Sequence, residues 1–135
     1  MLIHAPISVG ELYDKITILQ VKSSRLTGEA QLANVRFELE ALQAIAAQHV
    51  QPSADLSALI ESLHAINAQL WDIEDGKRQA ERDQNFDEAF IALARSVYLK
   101  NDDRARIKRD INLLLGSKIV EEKSHARARL DSPAG

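Results

Sequence analysis

The chain reads as an all-α protein, an antiparallel bundle of about four helices with a short C-terminal arm. Three observations predict this. Apolar residues recur at three- and four-residue spacing over four long segments. Short polar connections separate those segments, which favours antiparallel neighbours. No stretch alternates apolar with polar residues, and no hairpin turn signal occurs. With 45% apolar but only 4% aromatic residues, the core has to be built from Leu, Ile, Val and Ala. The 135 residues fit one domain, long enough to close a single core.

Ser8 followed by Glu11 is a capping box that starts the first helix, each side chain able to satisfy an orphan backbone N–H. Val9, Leu12, Ile16, Leu19 and Leu26 then hold one face to about residue 26. Ile18 and Val21 fall on the opposite side at about 100° per residue. A helix apolar on two sides is either central or shared with a partner. Thr27-Gly28-Glu29 makes a short connection to a second helix over about 29–48, carried by Leu32, Val35, Leu39, Leu42 and Ala46. Pro52 disfavours helix in the residue before it, and Ser53 or Asp55 can cap a new helix start. Leu56, Leu59, Ile60, Leu63, Ile66, Leu70 and Ile73 define this third helix, which runs past Gly76 to about Arg82 at some cost in propensity. Asn85 with Glu88 resembles a second capping box, and the fourth helix extends from about Phe86 to Leu115, with Gly116 as C-cap.

The fourth helix carries the most informative feature. If it is continuous, Lys100, Arg104 and Lys108 lie on the stripe defined by Phe86, Phe90, Leu93, Val97, Ile107 and Ile111. Cations on a core-facing stripe are costly unless something negative meets them. Either the helix breaks at Asn101-Asp102-Asp103 and resets its phase, or the region frames a polar, anion-accepting pocket. Beyond Gly116, residues 117–122 are ambiguous between a strand-like arm and a short helix, and a tail over about 126–135 is expected to be disordered.

Two rows of polar residues are site candidates. Asn67, Trp71, Glu74 and Arg78 follow one flank of the third helix, where the blander reading is a boundary layer with an (i, i+4) ion pair. Tyr98, Asn101, Ala105, Lys108 and Asn112 form a row on the fourth helix, with Lys100 and Arg104 beside it. Between antiparallel helices, the acids of Asp72-Ile73-Glu74-Asp75 would face these cations. The blander outcome is an ion-pair network that fixes helix register. The sharper one is a pocket for a carboxylate or phosphate, since Arg offers a planar fork of donors and Lys a mobile charge. Arg95 and Arg104 would then clamp the anion, Tyr98 and Asn101 orient it, and Glu74 position a cation or act as acid or base.

Other chemistries find little support. A formal net charge of −3 argues against nucleic-acid binding driven by bulk charge, and no aromatic stacking platform appears. Without cysteine there is no disulfide, thiolate or Cys-based zinc site. Glu61/His64 and Glu122/His125 have the Glu-x-x-His spacing of di-iron bundles, but Glu61 and His64 point away from the apolar stripe. No metal and no cofactor are expected. No nucleophile turn or Gly-rich phosphate loop occurs, so no catalytic residue is assigned. The apolar runs are too short to enter a bilayer, and the first residues lack the character of a signal peptide, so a cytoplasmic protein is expected.

Three stretches carry a family resemblance. They are Ile7-Ser8-Val9-Gly10-Glu11-Leu12-Tyr13-Asp14-Lys15-Ile16-Thr17-Ile18-Leu19, Leu70-Trp71-Asp72-Ile73-Glu74-Asp75, and Leu93 to Gly116-Ser117 through Arg95, Tyr98, Asn101 and Ile107-Lys108-Arg109-Asp110-Ile111-Asn112. In this order they resemble a family of small bacterial proteins known only as a domain of unknown function. The resemblance implies a context, since relatives are often encoded near glycosyltransferase and cell-surface polysaccharide genes, but no catalytic residues. A looser similarity to the helical chorismate mutases is one of architecture alone, because their ligand-holding residues do not map onto this chain.

Two functions are therefore expected. The first is a binding or accessory protein, linked through the resemblance to bacterial polysaccharide synthesis, that forms a homodimer or meets a protein partner through an apolar surface. The alternative is an enzyme or sensor of a small anionic ligand (a phosphosugar, nucleotide sugar or dicarboxylate). Its site would comprise Asn67, Trp71, Glu74, Arg95, Tyr98, Asn101, Arg104 and Lys108.

Overall fold

A computed structural model describes residues 1–123 and residue 125. The chain forms four helices, α1 Val9–Arg25, α2 Glu29–His49, α3 Ala54–Asp83 and α4 Glu88–Leu115. No strand occurs among the described residues, so the fold is all-α. Local chemistry sets the ends. Ser8 Oγ accepts from Glu11 N at 3.0 Å and Ser53 Oγ from Leu56 N at 3.1 Å. The start of α4 differs from expectation: Asp87, not Asn85, is the N-cap, its carboxylate accepting from Ala89 N at 3.1 Å and Phe90 N at 3.2 Å. An anionic cap also meets the positive end of the helix dipole. Asn85 instead closes α3, its N–H donating to Ala80 O at 2.9 Å. Gly116 ends α4 at φ 64°, a left-handed conformation that glycine adopts without a Cβ clash.

α1 is the central element and packs against each of the other three helices. Residues 26–28 turn the chain back into antiparallel α2, and the short 84–87 connection makes α3 and α4 an antiparallel hairpin. Asp14 meets Asn67 and Arg25 meets Asp72, so α1 runs parallel to α3; Gly10 meets Asn112 and Asp14 meets Arg104, so it runs antiparallel to α4. The core joins Leu12, Tyr13 and Ile16 to Leu56, Leu63, Ile107 and Ile111, with Leu39, Leu42 and Ala46 of α2 packed against it. The second apolar side of α1 behaves differently: Val21 is buried, whereas Ile18 is half-buried beside an open cleft.

At 1.5 Å per residue the 17-residue α1 spans about 26 Å, against about 45 Å for the 30-residue α3 and 42 Å for the 28-residue α4. The far end of the α3–α4 hairpin therefore projects beyond α1. α4 does not break at Asn101. Asn101 Oδ1 accepts from Arg104 Nη1 at 3.5 Å, Asp103 pairs with Arg106 at 3.2 Å, and Asp102 pairs with Lys123 at 2.8 Å. These pairings serve the polar trio within the helix, so the cations keep the phase of Ile107 and Ile111.

Residues 117–123 form neither strand nor helix but an irregular arm laid back along α4. Glu121 anchors it, accepting from Ser8 Oγ and, at 3.0 Å, from Asn112 Nδ2. The tail expected to be disordered, about 126–135, lies outside the described residues.

Candidate functional site

Gly10, Asp14, Thr17 and Val21 follow three- and four-residue spacing and form the line of α1 that faces α3 and α4. Gly10 permits a close approach: a Cβ there would stand 2.5 Å from Lys108 O and 2.9 Å from Asn112 Oδ1. Gly10 N donates to Asn112 Oδ1 at 2.6 Å. One turn on, Asp14 is only 1% exposed. Its Oδ1 accepts from Asn67 Nδ2 at 3.0 Å and Arg104 Nε at 2.9 Å, while Oδ2 accepts from Arg104 Nη2 and lies 3.8 Å from Lys108 Nζ. Asn67 spends its second N–H on Thr17 Oγ1 at 2.9 Å. Thr17 in turn donates to the Tyr13 and Asp14 carbonyls at 2.9 and 3.0 Å. Lys108 Nζ completes the network at 2.7 Å from Glu11 Oε2.

The four charges of Glu11, Asp14, Arg104 and Lys108 cancel. Burial pushes the Asp14 carboxyl up, but hydrogen bonds from Arg104 and Asn67 and the charges of Arg104 and Lys108 outweigh it, holding the carboxyl below its ordinary 3.8. The hydrogen bond to Asp14 raises the Arg104 guanidinium further above its already high value, against the opposing effect of burial. The pair stays ionised. Two-point docking through Nε and Nη2 fixes the plane of the guanidinium as a single contact would not.

Beside this network lies an open cleft of about 450 Å³. Ile18, Val21, Leu70 and Trp71 line it with apolar surface, Asn67 and Arg104 line its inner end, next to Asp14, and Glu74, Asp75 and Arg78 add charge along α3. Glu74 pairs with Lys77 at 3.2 Å and Asp72 with Arg25 at 3.3 Å. The acids that meet Arg104 and Lys108 are thus Glu11 and Asp14 of α1, not those of the 72–75 stretch, while Lys100 forms no ion pair with a described residue. The order of packing decides this, because α1 wedges between α3 and α4 at the level of Arg104.

Among the eight candidate residues, Asn67, Trp71, Glu74 and Arg104 line the cleft, Asn101 supports Arg104, and Lys108 sits one turn further along in the network. Arg95 and Tyr98 do not join them. Both are exposed, Tyr98 to 66%; at about 100° per residue they lie about 180° and 120° around α4 from Arg104, on the side away from the cleft. Among the described residues, no group of three or more His, Asp or Glu is arranged to hold a metal ion. No helix of the described chain is long and apolar enough to cross a membrane.

The model of DUF6165, a family of unknown function, matches residues 3–134, nearly the whole chain. The chain belongs to DUF6165. No curated protein and no solved structure matches it. In this DUF6165 chain the residues that sequence reasoning missed are Asp14, Thr17 and Glu11. A signal was present: an acid and a threonine share one helical line with Gly10 and Val21, immediately beside the Leu12/Ile16/Leu19 stripe. Polar side chains on such a line have to meet polar partners.

Proposed function

We propose that this protein is a binding protein or sensor whose α1/α3/α4 cleft takes a small ligand with an anionic group at one end and hydroxyl groups at the other, such as a phosphosugar or nucleotide sugar. One observation carries the reading: a fully buried carboxylate holds Arg104 in a fixed plane at the inner end of a cleft that also contains Trp71. Holding the arginine in place removes part of the ordering cost of binding. Because Asp14 already balances its charge, the ligand is recognised by directed hydrogen bonds more than by net attraction. Trp71 offers a flat face for a pyranose or base to stack on. Glu74 and Asp75 suit hydroxyl donors and repel a second carboxylate, which disfavours dicarboxylates. Such a ligand agrees with a role beside bacterial cell-surface polysaccharide synthesis, the context the family resemblance suggests.

Trp71 is the only tryptophan, so its fluorescence reports on the cleft directly. Titration with glucose 1-phosphate and a uridine diphosphate sugar is expected to give a saturable change, weakened about tenfold or more in Arg104→Gln, with succinate and inorganic phosphate binding less tightly. No saturable signal in fluorescence and no heat in calorimetry across this panel, from folded protein, would overturn the reading.

A separate observation favours a second property, self-association as a homodimer. Phe37, 65% exposed, and Ile45 lie on the side of α2 away from the core. Burying them against another chain removes apolar surface from water.

A further inference from the structure

α2 is apolar on two opposite faces. Leu32, Val35, Leu39, Leu42 and Ala46 turn toward α1 and the core, whereas Ala30, Ala33, Phe37, Ala41, Ala44 and Ile45 are all exposed. At about 100° per residue, the outer stripe centres on Phe37 and the inner on Ala46, half a turn apart. The core therefore accounts for only one of them. Along the outer stripe small and large side chains alternate one turn apart, Ala33, Phe37, Ala41 and Ile45, with Phe37 the largest knob. Flanking it, Arg36 and Glu40 are exposed and form no ion pair with each other or with any described residue, although they stand four apart.

Resting on the self-association reading above, we infer that α2 is the dimerisation helix, packed antiparallel against α2 of a second copy about a two-fold axis level with residues 38–39. The occupant follows from complementarity. In this register Phe37 of each copy faces Ala41 of the other, so each large side chain meets a small one. Antiparallel helices bring like flanks together, so Arg36 of each copy also faces Glu40 of the other, and the two-fold makes both pairs at once. A parallel pair would bring opposite flanks together and separate Arg36 from Glu40 of the other copy. One segment thus supplies both knob and hole and both signs of charge, which a second copy satisfies by symmetry. A 21-residue helix presents a strip only about 31 Å long, so the interface is small and dissociation is expected in the micromolar range.

Sedimentation equilibrium of the full chain from about 1 to 200 µM tests this around the expected range. Wild type is expected to dimerise. Phe37→Glu, an exposed position, should keep its helical circular dichroism and weaken association by about 100-fold or more. Arg36→Glu should weaken it about tenfold, and adding Glu40→Arg should restore it. A wild type that stays monomeric throughout overturns both self-association and this interface. A dimer indifferent to Phe37→Glu overturns the interface alone, and failure of the double charge reversal to restore affinity overturns the antiparallel register.

Discussion

An aspartate at 1% exposure has lost nearly all its hydration, and only partners that stay in place offset the loss. Asp14 has three such partners, and removing it leaves the half-buried Arg104 without its carboxylate. Asp14→Ala is therefore expected to cost about 3–5 kcal/mol in urea denaturation, the range for breaking a buried pair from one side. The pH dependence has a definite sign. The folded carboxyl lies below its ordinary 3.8, so the folded state binds fewer protons than the unfolded chain as that group titrates. Its contribution is complete above about pH 4 and disappears as pH falls through the lowered value. Glu121, whose burial is outweighed by hydrogen bonds from Ser8, its own backbone and Asn112, acts in the same direction from its ordinary 4.5. Stability should drop below about pH 4, and Asp14→Asn, less stable at neutral pH, should show a shallower drop when urea midpoints are compared between pH 2.5 and 6.

At Gly10 α1 meets α4 backbone to backbone. Its missing Cβ lets the helix start approach the Lys108 carbonyl and brings Asp14 and Arg104 into register. Gly10→Ala gains helix propensity of about 1 kcal/mol but forces backbone against backbone. The clash should dominate, lowering stability by about 1–3 kcal/mol and the thermal midpoint with it. The periodicity of α4 made its helix legible, but Asn101-Asp102-Asp103 left its continuity open. Those three residues are as good at capping as at pairing. Asp102 meets Lys123 on an arm whose path no spacing rule describes, and that contact belongs to the folded chain alone. The arm is the weaker attachment. Glu121→Ala should raise hydrogen exchange at Ser117 and Ile119 with little effect on the exchange of α1, because the core lies elsewhere.

Across the whole molecule, the mismatch in helix length divides the bundle into a well-packed body and a projecting hairpin end. Leu63, 0% exposed, and Ile111 belong to the body. Phe86 and Ile91 belong to the projection, where α3 and α4 have only each other and both are exposed. Amide exchange should therefore be fastest over about 80–95 and slowest around 104–112, and uniform protection along α4 would contradict this division. The candidate site is sorted by helix face: Asn67, Trp71, Glu74 and Arg104 line the cleft, while Arg95 and Tyr98, about 180° and 120° around α4 from Arg104, are exposed away from it.

Helix number, approximate bounds, most caps and the main apolar stripes were legible in this chain because they depend on neighbours three or four residues away. The conflict between cations and an apolar face was legible for the same reason. Which acids answer those cations was not, because Asp14 and Arg104 are separated by 90 positions and meet only through the order in which helices pack. A helical wheel assigns a side chain its direction, but not the residue that a neighbouring helix brings opposite it. The packing of α1 against both α3 and α4 brings Asp14 to Asn67 and Arg104, and that arrangement determines which polar residues share the cleft.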